Sequence, residues 1–212
     1  LSGAVSSLKL SLQYNKLNTN ARNLLGLIYL EEGEIVAALS EWVISRHYQA
    51  ENNDAEDYIR QIQSNPNRLE TYNQTIRKYN SALNSAKHGD EDMAVIQLKK
   101  VVNLNPNFIR AHQLLALLYM MTGKKDNRVK ALKLLRHISK IDVTNTTTLR
   151  YMKELSDVHL RGESQRVQPK PSKEQPTERR TLPKVDPDAY KTITPYKEER
   201  PSIMPFINVV VC

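Results

Sequence analysis

The chain has 212 residues, a single cysteine, and 31 Lys/Arg against 23 Asp/Glu, for a formal net charge of +8. That length suffices for one or two cores, and the lone Cys212 excludes an internal disulfide framework and a cysteine-rich zinc site. Residues 93–161 carry 13 basic against 4 acidic side chains, so attraction to an acidic partner or membrane surface is expected to centre on Lys124, Lys125, Arg128, Lys130, Lys133, Arg136 and Lys140.

In chain order, Leu1 opens the sequence inside a helical pattern, as expected of a piece of a longer protein, and no secretory signal is visible. Residues 1–16 predict a helix containing Ala4 and Leu8. The stretch ARNLLGLIYLEEGEIVAALSEWV sets Leu25, Gly26, Tyr29, Gly33, Ala38 and Trp42 in a pattern that returns along the chain. Ala4 and Leu8 precede Ala38 and Trp42 by one period of about thirty-four residues. Ala82, Gly89, Ala94, Leu98 and Pro106 follow the same template. Leu115, Ala116, Tyr119, Gly123, Ala131 and Leu135 repeat it, after an insertion of about three residues near Lys125–Arg128.

The middle, residues 52–88, departs from this regularity. Asn52–Gln63 supplies one helix, which SNPN breaks at Pro66. Leu69, Tyr72, Ile76, Tyr79, Leu83 and Ala86 then recur at three- and four-residue steps, predicting one long helix from about Asn67 to His88. A helix over Thr146–Leu160 places Leu149, Met152, Leu155 and Leu160 to cap what precedes it. Residues 162–202 are rich in proline and mixed charge and poor in large aliphatics, which predicts a flexible linker.

The recurring small and aromatic positions resemble the tetratricopeptide repeat. In that family, small residues at the places of Gly26 and Ala38 let two helices approach, and the places of Tyr29 and Trp42 fill the space beside them. "IDVTN" (Ile141–Asn145) is similar to the family's closing segment. The resemblance implies an all-α solenoid of helix hairpins over residues 1–161, with a truncated first repeat and a capping helix at 146–160. It is the offset of the small residues that separates this reading from an ordinary helical bundle. LSGAVSSLKLSL, ARNLLGLIY, ALSEWVIS, QLLALLY and TTTLRYMKEL are also similar to a group of bacterial tetratricopeptide proteins that end in one transmembrane helix.

By the same resemblance, the inner side of each first helix lines a groove for a partner segment. The positions carried over are Asn23, Leu27 and Leu30, then Ile76, Tyr79 and Leu83, then Arg110, Gln113 and Leu117. Leucine and isoleucine fill several of these places, so the implied groove is apolar, with Leu27, Ile76, Leu83 and Leu117 accessible.

Enzymatic chemistry has no support in the sequence. It contains no phosphate loop, Gly-rich dinucleotide turn, nucleophile elbow or paired-histidine metalloprotease motif. Ser6-Ser7-Leu8-Lys9 spells S-x-x-K only by chance on an amphipathic helix. His47, His88, His112, His137 and His159 stand far apart in sequence and form no ligand cluster. No cofactor or metal is expected.

The last ten residues, IMPFINVVVC (Ile203–Cys212), are mostly apolar. As a helix they reach about 15 Å, half of a bilayer's hydrocarbon core. With Lys184, Lys191, Lys197 and Arg200 upstream, they read as the opening of a membrane helix that keeps the repeats cytoplasmic. The alternative is a tail that folds back onto the repeats. The leading expectation is a non-enzymatic, membrane-anchored scaffold for a protein segment. Two alternatives stay open: a soluble nucleic-acid-associated protein using the basic face, and the regulatory part of a larger enzyme.

Overall fold

The structure, a computed structural model, describes residues 1–164. Among the described residues every regular element is α-helical. The helices are α1 (Ser2–Tyr14), α2 (Thr19–Glu31), α3 (Ile35–Tyr48), α4 (Ala55–Gln63), α5 (Pro66–Lys87), α6 (Glu91–Leu104), α7 (Ile109–Met121), α8 (Lys125–Ile141) and α9 (Thr146–Ser164). The chain is all-α. The final helix runs on to Ser164, so the first residues of the expected linker are helical. The remainder of that linker and the apolar run 203–212 lie outside the described residues.

Three pairs, α2 with α3, α5 with α6 and α7 with α8, pack against each other across three-residue turns. Each turn carries a glycine in the left-handed region: Gly33 (φ 76°), Gly89 (φ 82°) and Gly123 (φ 67°). The joints that follow the second helix of each pair, and the one that follows α1, share another geometry. Asn15, Gln49, Asn105 and Asp142 all take extended backbone, with φ −138°, −141°, −135° and −133° and ψ 95°, 100°, 87° and 94°. Capping fixes several starts. The side chains of Asn18, Asn65 and Asp90 accept the N–H groups of Ala21, Arg68 and Met93, and Pro66 occupies the first turn of α5, where its missing N–H costs nothing.

Small residues sit where helices come closest. A Cβ on Gly26 would lie 2.7 Å from Cδ1 of Trp42, and Ala38, Ala82, Ala94, Ala116 and Ala131 are fully buried. Around them lie three apolar clusters. One joins α1 and α2 through Leu12, Ala21 and Leu25. A second joins α3, α4 and the first half of α5 around Trp42. The largest runs from Tyr79 on α5 to Leu155 on α9.

Two long-range bridges fold the first hairpin across the later ones. Asp142, at the α8–α9 joint, accepts from the Leu1 ammonium at 2.9 Å, from the Ser2 N–H at 3.2 Å and from the Ser2 hydroxyl, so it caps α1 from 140 residues away. The α2–α3 turn seats on the α6–α7 joint, where the Asn105 amide donates to the Gly33 carbonyl at 3.0 Å and the Ile109 N–H donates to the Glu32 carbonyl at 3.3 Å. A side chain at Gly33 would meet the backbone of Phe108 at 2.6 Å. This close approach, besides the positive φ, requires glycine there.

Candidate functional site

Beside the second bridge lies a cleft of about 300 Å³, lined by Lys9, Tyr29, Glu32, Glu34, Ala37, Ile109, Arg110, Gln113 and Asn145. Its walls thus come from α1, α2, the α2–α3 turn, α3, α7 and the α8–α9 joint. Most of the lining is polar, and much of it is held in place. Arg110 grips both oxygens of Glu34 with its guanidinium. The Gln113 amide donates to Asn145 Oδ1 at 2.7 Å and to Thr148 Oγ1 at 3.0 Å. Lys9 Nζ stands 5.7 Å from the centre of the Tyr29 ring.

The electrostatics of the cleft turn on Glu32. Burial pushes its carboxyl up to about 7, and the negative charges of Asp142 and Glu34 add to the effect, while Lys9 and the Leu1 ammonium oppose it. Arg110 behaves differently. Burial disfavours its charge, but the Glu34 carboxylate more than compensates and holds it firmly protonated. Behind the pair, burial raises the phenol of Tyr79, whose hydroxyl has no partner among the described residues. The cleft is therefore a polar recess with one neutralised ion pair and one carboxyl that gains from a cationic or proton-donating neighbour.

Of the groove residues expected from sequence, only Arg110 and Gln113 line this cleft. The accessible apolar lining is not formed. Ile76, Leu83 and Leu117 are buried, and only Leu27 of that set is exposed. The physical reasons differ: Ile76 lies beneath the α2–α3 turn and Phe108, whereas Leu83 and Leu117 are enclosed in the cluster that joins α5 to α9, where the Tyr79 and Phe108 rings meet at a tilt with centres 4.9 Å apart. Asn23 is also buried, donating to Asn53 Oδ1 at 2.8 Å, while its carbonyl accepts the Trp42 indole N–H at 3.1 Å. Leu30 is half-buried against the Trp42 cluster.

Lys9, Tyr29, Glu32, Glu34 and Asn145 escaped the sequence reading. Two carboxylates flanking a turn glycine were a visible signal, but the partner of Glu34, Arg110, lies more than seventy residues away and carries no spacing signature.

The basic residues occupy the opposite kind of site. Lys125, Lys130, Lys133, Arg136 and Lys140 are exposed on α8, Lys124 is exposed at its start, and Arg128 is half-buried on its flank. None of the seven forms an ion pair among the described residues. Between α7 and α8 the rings of His112 and His137 come together, with centres 5.2 Å apart, although they stand 25 positions apart in sequence. Burial lowers the proton affinity of His112, whose Nδ1 faces the Phe108 carbonyl at 3.0 Å.

Among the described residues no group of three or more His, Cys, Asp or Glu is arranged to hold a metal ion. No described helix is long and apolar enough to cross a membrane. Compared with known protein families and with curated proteins, the chain matches no family model and no curated sequence.

Proposed function

We propose that the chain is a non-enzymatic scaffold of tetratricopeptide-like hairpins that receives a partner segment in the cleft between α1–α3 and α7–α9. The observation that carries this reading is the cleft itself: a 300 Å³ recess walled by several hairpins and lined by polar groups. The hairpin array is supported by the recurrence of one extended joint at Asn15, Gln49, Asn105 and Asp142, and by left-handed glycines in three hairpin turns. A repeat built from one joint and one turn is what a stacked array uses to form a concave wall. The cleft's polar lining replaces the apolar groove expected from sequence. Its segment of choice has a backbone to meet Gln113 and Asn145 and a basic or neutral polar side chain to meet Glu32. Attachment to a membrane through residues 203–212, with the hairpins cytoplasmic, belongs to the same proposal.

A peptide display selection against the chain, followed by binding measurements on variants, tests the cleft. Peptides so recovered should bind about tenfold more weakly to Glu32→Lys, which reverses the only carboxyl of the cleft not already paired with a cation. Undiminished binding to that variant would move the site elsewhere. Fractionation of cells expressing the gene tests the anchor, and recovery of the protein in the soluble fraction would remove it.

A further inference from the structure

We propose that the outward face of α8 is a peripheral docking surface for an anionic lipid bilayer. The face is built by helical geometry. Ala131, Leu135 and Ile138, all fully buried, define the inward side of the helix. Residues on the far side recur at three- and four-residue steps, and they are Lys125, Val129, Lys133, Arg136 and Lys140. Asp126 is the only acidic residue of α8, and no carboxylate of the described residues pairs with these cations. Lys125, Lys133, Arg136 and Lys140 form a row of positive charge along α8 about 22 Å long, between two and three screening lengths at physiological salt.

The attraction is electrostatic, and the composition of the face favours a bilayer over other polyanions. The apolar side of α8 is already consumed by packing, so the helix cannot roll into a membrane as an amphipathic anchor does. Lysine dominates the row. Its hydrated point charge suits a diffuse anionic plane, whereas the fork of arginine suits individual phosphates. No exposed Phe, Tyr or Trp is interleaved with the row, so a broad base-stacking platform is missing. Val129, 63 % exposed in the middle of the face, adds a small apolar contact at the headgroup level. The inference does not rest on the cleft.

Co-sedimentation of the whole 212-residue chain with vesicles tests it. One set is phosphatidylcholine with about one-third phosphatidylglycerol, and the other is phosphatidylcholine alone, both near 0.1 M salt. The run 203–212 is present in every sample, so the readout is the part of binding that depends on lipid charge. Wild type should bind the anionic vesicles selectively and be released as salt rises toward about 0.5 M. The triple change Lys133→Gln, Arg136→Gln and Lys140→Gln should lower that partitioning about 100-fold, with unchanged circular dichroism. Lys133→Arg with Lys140→Arg, which keeps the charge, should retain it. Equal binding of the Gln variant, or no preference of wild type for anionic vesicles, overturns the proposal. So does tighter binding of wild type to duplex DNA or single-stranded RNA that the same triple change abolishes.

Discussion

Gly26 is small because Trp42 leaves it no room. The indole is fully buried and its N–H is committed to the Asn23 carbonyl one turn away from Gly26, so it cannot step aside without losing a hydrogen bond. Leucine favours a helix over glycine by up to about 1 kcal/mol, yet Gly26→Leu should still destabilise by about 1–3 kcal/mol net through overpacking. Urea denaturation of the single variant measures this, and wild-type stability in that variant would contradict the close approach.

Glu32 makes a different kind of prediction. Its folded-state proton affinity is raised, from 4.5 to about 7, so the native state holds a proton that the unfolded chain releases. Its contribution to stability therefore falls as pH rises from about 4.5 to about 7. Glu32→Gln should flatten that slope and stabilise the fold at pH 8 by about 1 kcal/mol. This is below the full linkage value, because the cleft is open to water. Thermal melts of both proteins at pH 5 and pH 8 decide it. Asp142 acts in the opposite sense. Burial works against its charge, but the Ser2 and Leu1 donors outweigh it and hold its carboxyl below the usual carboxylate range. Its stabilisation is present at neutral pH and is lost only as pH falls below the ordinary carboxylate value of 3.8 and on through the lowered native one.

Among the elements, α7 is the most instructive. IRAHQLLALLYMM is apolar nearly all round, and every residue from Ala111 to Tyr119 is buried. Such a helix belongs at the centre of a packing arrangement, and only its first turns, at Ile109, Arg110 and Gln113, border the cleft. Leu117 was placed on a groove by its position in the repeat, although the composition of its own helix spoke for the core. Leu117→Ser should therefore destabilise the protein by about 3 kcal/mol, and a fully stable variant would show that α7 is less enclosed. The long helix α5 was legible because three- and four-step recurrence and Pro66 act within a few residues of each other. The turns were legible through Gly33, Gly89 and Gly123. The pairing of Glu34 with Arg110 was not, since no local rule links positions 76 residues apart. The face of α8 was readable in sequence because its charges are close together and its apolar stripe is regular.

On the scale of the molecule, the first three helices hold onto the later ones at the Glu32–Glu34 turn and at Ser2. Arg110 is partly exposed and Glu34 is nearly covered, so removing the guanidinium leaves a largely covered carboxylate without its partner. Arg110→Ala should cost about 3 kcal/mol. Arg110→Leu combined with Glu34→Leu should cost less than the sum of the two single changes, because the ions were compensating each other. Chemical denaturation of the four proteins gives the coupling, and strict additivity would mean that the pair adds nothing to the closure.

The same closure has a mechanical consequence. If tension were applied between the ends of the described chain, it would first be borne by the bridge from Ser2 to Asp142. Once that yielded, the load would pass from Gly33 directly to Asn105, which bond across 72 positions. Until this second bridge also let go, α3 to α6 would hang outside the load path, unstretched. Extension would then come in discrete increments of contour length, whereas a row of hairpins joined only to their neighbours lengthens gradually, like a spring.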